Sequence, residues 1–423
     1  MERHTAITGL GAVTSLGLSL EETWQGLVAG RSGVAAIDGW DASAFPTRIA
    51  AQVRGLDPLA FVEDRKALRT MDKHTFMAVA AVAQALADAG LGRGEPAPPR
   101  LGLYLGLGMV DYDVEDIAEA ARLSRSSQGV FDWEQFAREG YQRIYPLWTI
   151  EMLPNIALCQ VAILNNVQGA NLSLGSFGEA GAYAVGEGLR AVQAGDVDVA
   201  VAGGVSFKIN PFSLARFSLM GMLSQNNDQP TQACRPFDAD RDGTVLGEGA
   251  AVVVLEEKSH ALDRRCPIYG EVAGYGAGSG SQGNWGVGPM RAMQAALADA
   301  GLAPDEVDYL CADAAALVDA DREEAWAIRE VFGPRASSLP VSAVKSMVGH
   351  TMAASGPLGL AIASLVLQRG VMPPTANYTR SDPACPVNCI PMQTRTASAR
   401  TALVNARGLD GVAASLVVRR DTG

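Results

Sequence analysis

A chain of 423 residues has room for two or three domains, or one large double unit, at roughly 100–200 residues each, and 48% hydrophobic side chains supply its core. The 46 acidic side chains against 34 basic ones leave a net charge of −12, a field that repels nucleic acid and anionic membrane surfaces. The start, MERHTAITGLGAV, has an acid where a secretory leader needs about 7–15 apolar residues, and no later run nears the roughly 18 of a membrane span.

A cytoplasmic chain is therefore expected, with Cys159, Cys234, Cys266, Cys311, Cys385 and Cys389 as free thiols. The first predicted element is a glycine-rich strand and turn, TGLGAVTSLG from Thr8. An alanine-rich helix over Phe76–Ala89 ends in ALADAGL (Ala85–Leu91), and a β-like run, LGLYLGLG, follows at Leu101–Gly108. This order recurs in the second half of the chain: AGYGAGSG from Ala273, a helix over Ala292–Ala300 ending in ALADAGL (Ala296–Leu302), then VDYLCADA at Val307–Ala314. Each helix carries a glycine just past its end, where a left-handed residue closes a helix. The two halves, 1–258 and 259–423, read as copies of one α/β unit.

Between these landmarks lies a polar segment, Asp111–Tyr145, expected to form a cap of helices and loops. Strand-like ANLSLG (Ala170–Gly175) leads into a helix over about Glu179–Ala194, then the strands VDVAVAGG (Val197–Gly204) and AAVVVLEE (Ala250–Glu257). Later come a helix around Asp321–Val331, the strand LPVSAV (Leu339–Val344), an apolar helix over Met352–Leu367, and the strands TALVNA and AASLVV. Nearly continuous Val, Ile, Leu and Ala strands suit a sheet covered on both faces. Packing of the two units then predicts five layers, α/β/α/β/α.

Five strings carry a resemblance: TGLGAVTSLG, VAGRSGV at Val28–Val34, AVGEGLRAVQAGDVDVAVAGG at Ala184–Gly204, RPFDADRDGTVLGEGAAVVVLEE at Arg235–Glu257, and VSAVKSMVGHTMAASG at Val341–Gly356. Over nearly its whole length the chain resembles the β-ketoacyl synthases of fatty acid and polyketide assembly. The resemblance implies a duplicated thiolase-like fold and no cofactor.

Active members of that family place a nucleophilic cysteine at the start of a buried helix, where the helix dipole and free N–H groups lower the thiol pKa. Registered on Gly181, Gly186 and Glu187, the matching stretch SFGEAGAYAVGEG puts Gly178 at that position. Ser176 and Glu179 stand nearby, the hydroxyl read as lacking a base and the carboxylate as a helix cap. The first of the family's two histidines is matched by Asp313 in CADAAAL, where a carboxylate would repel a malonyl anion. His350 matches the second and Lys345 the family lysine; without a thiol the pair reads as structural, Lys345 held by Asp313 or Glu179. His4, His74 and His260 lie outside the motif, and Cys311 reads as a buried strand residue.

The family's glycine-rich gate loop corresponds to ARGLDGVAA from Ala406: Leu409 replaces the gating aromatic and Asp410 a glycine, ahead of Gly411, which suits a closed or refilled pocket. The acidic turn with Asp238, Asp240, Arg241 and Asp242 is read as internal ion pairs rather than a calcium loop, and Cys385 with Cys389 is too small a set for zinc.

A family member without the nucleophile resembles the chain length factor, or ketosynthase β, subunit of type II polyketide synthases. That implies a heterodimer with a cysteine-bearing ketosynthase through the ANLSLG edge, and service to an acyl carrier protein with a phosphopantetheine-bound chain. By position, Met109, Val110, Tyr112, Val114 and the segment Leu147–Leu158 would line the end of the chain tunnel. The alternative is a stand-alone decarboxylase or acyltransferase using His350 and Lys345.

Overall fold

The computed structural model describes residues 3–92, 100–108 and 114–421. Ten strands form its main sheet: β1 (Thr5–Thr14), β2 (Leu101–Leu107), β3 (Asn171–Gly175), β4 (Val199–Val205), β5 (Gly249–Glu257), β6 (Gly270–Ser279), β7 (Tyr309–Cys311), β8 (Val341–Ser342), β9 (Thr401–Arg407) and β10 (Val412–Arg419). Their spatial order is β8-β7-β9-β10-β6-β1-β5-β4-β2-β3. Followed outward from the centre, β1-β5-β4-β2-β3 and β6-β10-β9-β7-β8 are one topology used twice. In both halves three outer strands run parallel and the next is antiparallel to them. A short antiparallel pairing, Ala6 with Glu271 and Ile7 with Gly270, joins the halves.

Six helices complete the layers: α1 (Lys73–Asp88), α2 (Ile156–Leu164), α3 (Ala180–Ala194), α4 (Val287–Asp299), α5 (Val318–Phe332) and α6 (Ser355–Arg369). α1 and α2 cover the outer side of the first half, α4 and α5 that of the second, and α3 and α6 are sandwiched between the two. This is the expected five-layered αβαβα, thiolase-like arrangement. Strands β1 and β4 are buried at every position, as sheets covered on both faces require.

The repeated ALADAGL has the same structural job in each half. Gly9 of β1 lies so close beneath α1 that a Cβ there would stand 2.8 Å from the Ala89 methyl, and Gly274 of β6 lies equally close beneath α4, 2.7 Å from Ala300 N. The aspartate of each repeat then reaches into its strand: Asp88 Oδ2 accepts the Leu10 N–H and Asp299 Oδ2 the Tyr275 N–H, both at 2.9 Å. Both strands have a register shift just before these residues, which leaves a ladder N–H to satisfy. Gly90 (φ +68°) and Gly301 (φ +65°) close the helices in left-handed conformation.

Local boundaries differ from the sequence reading: α1 begins three residues before the expected Phe76, α4 five before the expected Ala292, and the run Val307–Ala314 is strand only at Tyr309–Cys311. LPVSAV pairs only at Val341–Ser342, because Val344 turns into a helical segment, Lys345–Val348. The helix expected from Met352 starts as a 3-10 turn, Met352–Ala354, before α6. The helix expected around Asp321–Val331 begins three residues earlier, at Val318. The polar segment contains helices Glu115–Leu123 and Trp133–Arg138. Among the described residues no helix is long and apolar enough to cross a membrane.

Candidate active site

The sequence-predicted positions converge where strands end and buried helices begin. Gly178 follows β3 and precedes α3; Asp313 follows β7; Lys345 and His350 follow β8; Gly408–Gly411 link β9 to β10. Open α/β sheets place their functional crevices at these carboxyl ends of strands.

Gly178 is buried, and its surroundings leave no space for a side chain. A Cβ there would be driven into the carbonyl oxygen of Arg407 and would lie 3.4 Å from His350 Cε1. The region is closed by backbone rather than by a movable side-chain tip. Position 178 thus has no room for a side chain unless the backbone around Arg407 moves.

Asp313 and Lys345 form a buried ion pair, Nζ to Oδ1 2.6 Å. The main chain around Asp313 is gripped by two carboxylates of α5. Glu324 accepts the N–H groups of Asp313 (2.9 Å) and Ala314 (2.7 Å), while Asp321 accepts those of Ala315 (3.1 Å) and Phe237 (2.8 Å). Three successive N–H groups are thereby consumed, so this strand end offers them to no substrate oxygen. Burial pushes the Asp321 carboxyl up to about 6, and burial together with the charge of Asp313 pushes Glu324 up to about 7.

His350 is buried, and its Nδ1 accepts the Met352 N–H at 3.2 Å. That bond assigns the ring proton to Nε2. Burial, and then the positive charge of Lys345, holds its pKa well below the usual histidine range, so the ring is neutral at physiological pH.

The turn between β9 and β10, expected as a gate loop, is anchored by a residue that motif matching passed over. The Arg407 guanidinium donates to the Ala320 carbonyl (2.9 Å) and pairs with Glu323, both on α5. Leu409 packs against the apolar cluster that includes Phe177, Phe217 and Met352. Asp410 is exposed, and Gly411 takes φ +76°. Only the GLDG string pointed to this loop; the arginine before it shows its importance through a partner 84 residues away.

Two expectations for the helix start need correction. Glu179 stands at the N-cap of α3 but makes no side-chain cap; its Oε1 accepts the Ser176 hydroxyl, and Oε2 lies buried against Gly408 with no hydrogen-bond partner among the described residues. The carboxylate turns inward because Ser176, three residues back, supplies a donor there. Ser176 accordingly does have a carboxylate beside it. Burial, reinforced by Asp410 and Asp313, raises the Glu179 pKa. Lys345 is paired with Asp313 rather than Glu179. Cys311 is buried on β7, its thiol pushed up to about 12 chiefly by burial.

A cavity of about 580 Å³ opens beside these groups, bounded by His350, Asp313, Trp285, Leu317, Met222 and Leu409 among others. Of the tunnel candidates, Met109, Val110 and Tyr112 lie outside the described residues, and Val114 is exposed just before helix Glu115–Leu123. In the acidic turn, Asp238 accepts the N–H groups of Asp240, Thr379 and Arg380, and Arg241 pairs with Asp382 at 2.8 Å.

Residues 2–261 match the β-ketoacyl synthase N-terminal domain, and residues 269–379 the C-terminal domain. A 3-oxoacyl-[acyl-carrier-protein] synthase 2 from Coxiella burnetii is 35% identical, covering 99% of this chain and of its own. Among solved structures, the ishigamide ketosynthase/chain length factor superposes with a TM-score of 0.87 at 29% identity, covering both chains fully. A β-ketoacyl synthase from Burkholderia phymatum matches with the same TM-score and coverage at 31% identity. With two domain matches across most of its length, and with these relatives, the chain belongs to the β-ketoacyl synthase family.

Proposed function

We propose that this protein is a non-catalytic ketosynthase-like subunit of the chain length factor type. In this reading it pairs with a cysteine-bearing ketosynthase in the cytoplasm and shapes the tunnel for an acyl or polyketide chain delivered on an acyl carrier protein. Its units are the halves 1–258 and 259–423. The observation that carries the proposal is Gly178, which has neither a thiol nor room for a Cβ beneath the Arg407 carbonyl. The Asp313–Lys345 pair supports it: where the family pattern has a histidine there is a carboxylate neutralised by lysine, an arrangement with no donor role in decarboxylation.

The surface also favours a partner. Strand β3 is hydrogen-bonded to β2 on one side and forms the edge of the sheet on the other, with Leu172 exposed; Leu153 (49%) and Ile163 (73%) project nearby in sequence on and before α2. An open apolar edge is a liability unless covered. The match to a ketosynthase/chain length factor structure points to the same kind of assembly.

The test uses the purified chain, alone and mixed with a cysteine-bearing ketosynthase. Acyl carrier protein loaded with labelled acyl groups should acylate the ketosynthase and leave this chain unmodified by intact mass. Malonyl carrier protein should lose no carbon dioxide on the chain alone. A stable acyl adduct, or carbon dioxide release abolished by His350→Ala, would instead establish the stand-alone decarboxylase or acyltransferase.

A further inference from the structure

Because one topology is used twice, each aspartate of the ALADAGL repeat can be compared with its counterpart. α3 and α6 are both 15 residues long, and both close on a left-handed glycine, Gly195 (φ +77°) and Gly370 (φ +67°). Five residues before those glycines stand Arg190 and Leu365, and near the helix starts Gly181 and Gly356 match as well. Arg190 is therefore the counterpart of Leu365, as Asp299 is of Asp88 and Tyr275 of Leu10. In the second half a guanidinium meets the aspartate: Arg190 donates to Asp299 Oδ1 at 2.8 Å, and Tyr275 packs edge-on against Tyr183. In the first half that arginine is a leucine.

Asp88 Oδ1 instead accepts the Tyr269 hydroxyl at 3.0 Å. A phenol brings a proton but no charge, and burial, followed by the Asp88 carboxylate, pushes the Tyr269 pKa up to about 12. Asp88 thus has no ion-pair partner among the described residues. Arg369 is nearby but spent: it donates to both carboxylate oxygens of Glu21, at 3.2 and 2.7 Å, and lies over the Trp24 ring. On the Leu365 side of Asp88 a cleft of about 400 Å³ opens, within the range of about 300–1,000 Å³ usual for small-molecule sites. Leu10, Leu20, Ala87 and Leu365 give it apolar walls. α1 and α6 both turn their last residues to it, and the carbonyl ends of helices carry partial negative charge. The one helix start there, at Leu20, is capped by Ser19 and followed by Glu21 and Glu22. An unpaired carboxylate, carbonyl ends and apolar walls together favour a cation on an apolar stem.

We propose that this cleft binds a small molecule carrying a guanidinium group on an apolar stem, which pairs with Asp88 as Arg190 pairs with Asp299. The cleft shares no residue with the cavity beside His350, so the assignment stands or falls apart from the subunit reading.

The experiment is a calorimetric titration of the isolated protein with n-butylguanidinium and with its neutral isostere n-butylurea, the Tyr269 ring resonances being followed in parallel. The guanidinium should bind at least about tenfold more tightly than the urea, should weaken as salt is raised, and should shift the Tyr269 signals. Leu365→Arg supplies the cation from within the chain and should abolish binding, whereas cations gathered indiscriminately by a surface of net charge −12 would remain. Asp88→Asn keeps an acceptor for the Leu10 N–H and should lose the guanidinium too. If neither variant folds, the Tyr269 shift in the unaltered protein and the preference over the urea decide. N-acetyl-glycyl-arginyl-glycinamide in the same titration separates a small ligand from an arginine presented by another protein; tighter binding of the peptide than of n-butylguanidinium overturns the small-molecule assignment. Equal affinity for guanidinium and urea, no binding of either, binding that survives Leu365→Arg, or Tyr269 signals indifferent to the guanidinium overturns the proposal.

Discussion

The carbonyl oxygen of Arg407 fills the space that a side chain on Gly178 would need. Placing a cysteine at position 178 is therefore a packing problem before it is a chemical one. Gly178→Cys is expected to stay unacylated by intact mass when offered acyl carrier protein, and both Gly178→Ala and Gly178→Cys should lower stability by about 1–3 kcal/mol through overpacking. Urea unfolding measures that loss.

The obstruction is held from α5, since Arg407 is tied to Ala320 and Glu323. Combining Gly178→Ala with Arg407→Ala frees the β9–β10 turn to yield. The double variant should be more stable than the sum of the single effects predicts, by about 0.5–3 kcal/mol in a double-mutant cycle. Strict additivity would mean that Arg407 does not hold the turn down.

The fold and half of this site were legible in the sequence for identifiable reasons. The duplicated ALADAGL encodes a local rule, a small-residue helix lying on a glycine strand with an aspartate anchoring it, so both copies announce themselves in linear order. Gly178 and Asp313 are placed by register, Gly178 against Gly181, Gly186 and Glu187 and Asp313 within CADAAAL, and in the fold both come to the ends of adjacent elements. Arg407 and Glu324 were not legible, because their importance lies in partners 84 and 11 residues away across layers, which no periodicity records. Position alone favours Glu179 as a cap, whereas the Ser176 hydroxyl and the buried turn decide where its carboxylate points.

Asp313 and Lys345 should behave as a closed unit. Lys345→Met leaves a buried carboxylate uncompensated and Asp313→Leu leaves a buried ammonium, each costing about 3–5 kcal/mol. The double change removes both charges and should cost clearly less than either single one. If both single variants unfold at the same denaturant concentration as the unaltered chain, the pair is not structurally coupled.

The edge of β3 offers a separation of folding from assembly. Ile163 is largely exposed, so Ile163→Glu changes little in the isolated chain and is expected to keep its unfolding free energy within about 0.5 kcal/mol. Leu172→Asp on β3 should act likewise. Native mass spectrometry with the proposed cysteine-bearing partner should show both variants losing the complex, and an unaffected complex would place the interface elsewhere.

Glu324 makes the site's stability depend on pH in a predictable direction. In the unfolded chain its proton leaves near 4.5; in the fold burial, followed by the charge of Asp313, raises that value to about 7. Between these limits the folded chain binds more protons than the unfolded one, so this residue's contribution to stability falls as pH rises through the window. Glu324→Gln does not titrate. It loses an acceptor for the N–H groups of Asp313 or Ala314, a cost that is constant with pH. The difference in unfolding free energy between variant and unaltered chain should therefore shift in favour of the variant from pH 4.5 to about 7, and level off above. Urea unfolding across that range measures the slope; a difference that is flat, or that moves against the variant as pH rises, would show that Glu324 is ionised in the fold at mildly acidic pH.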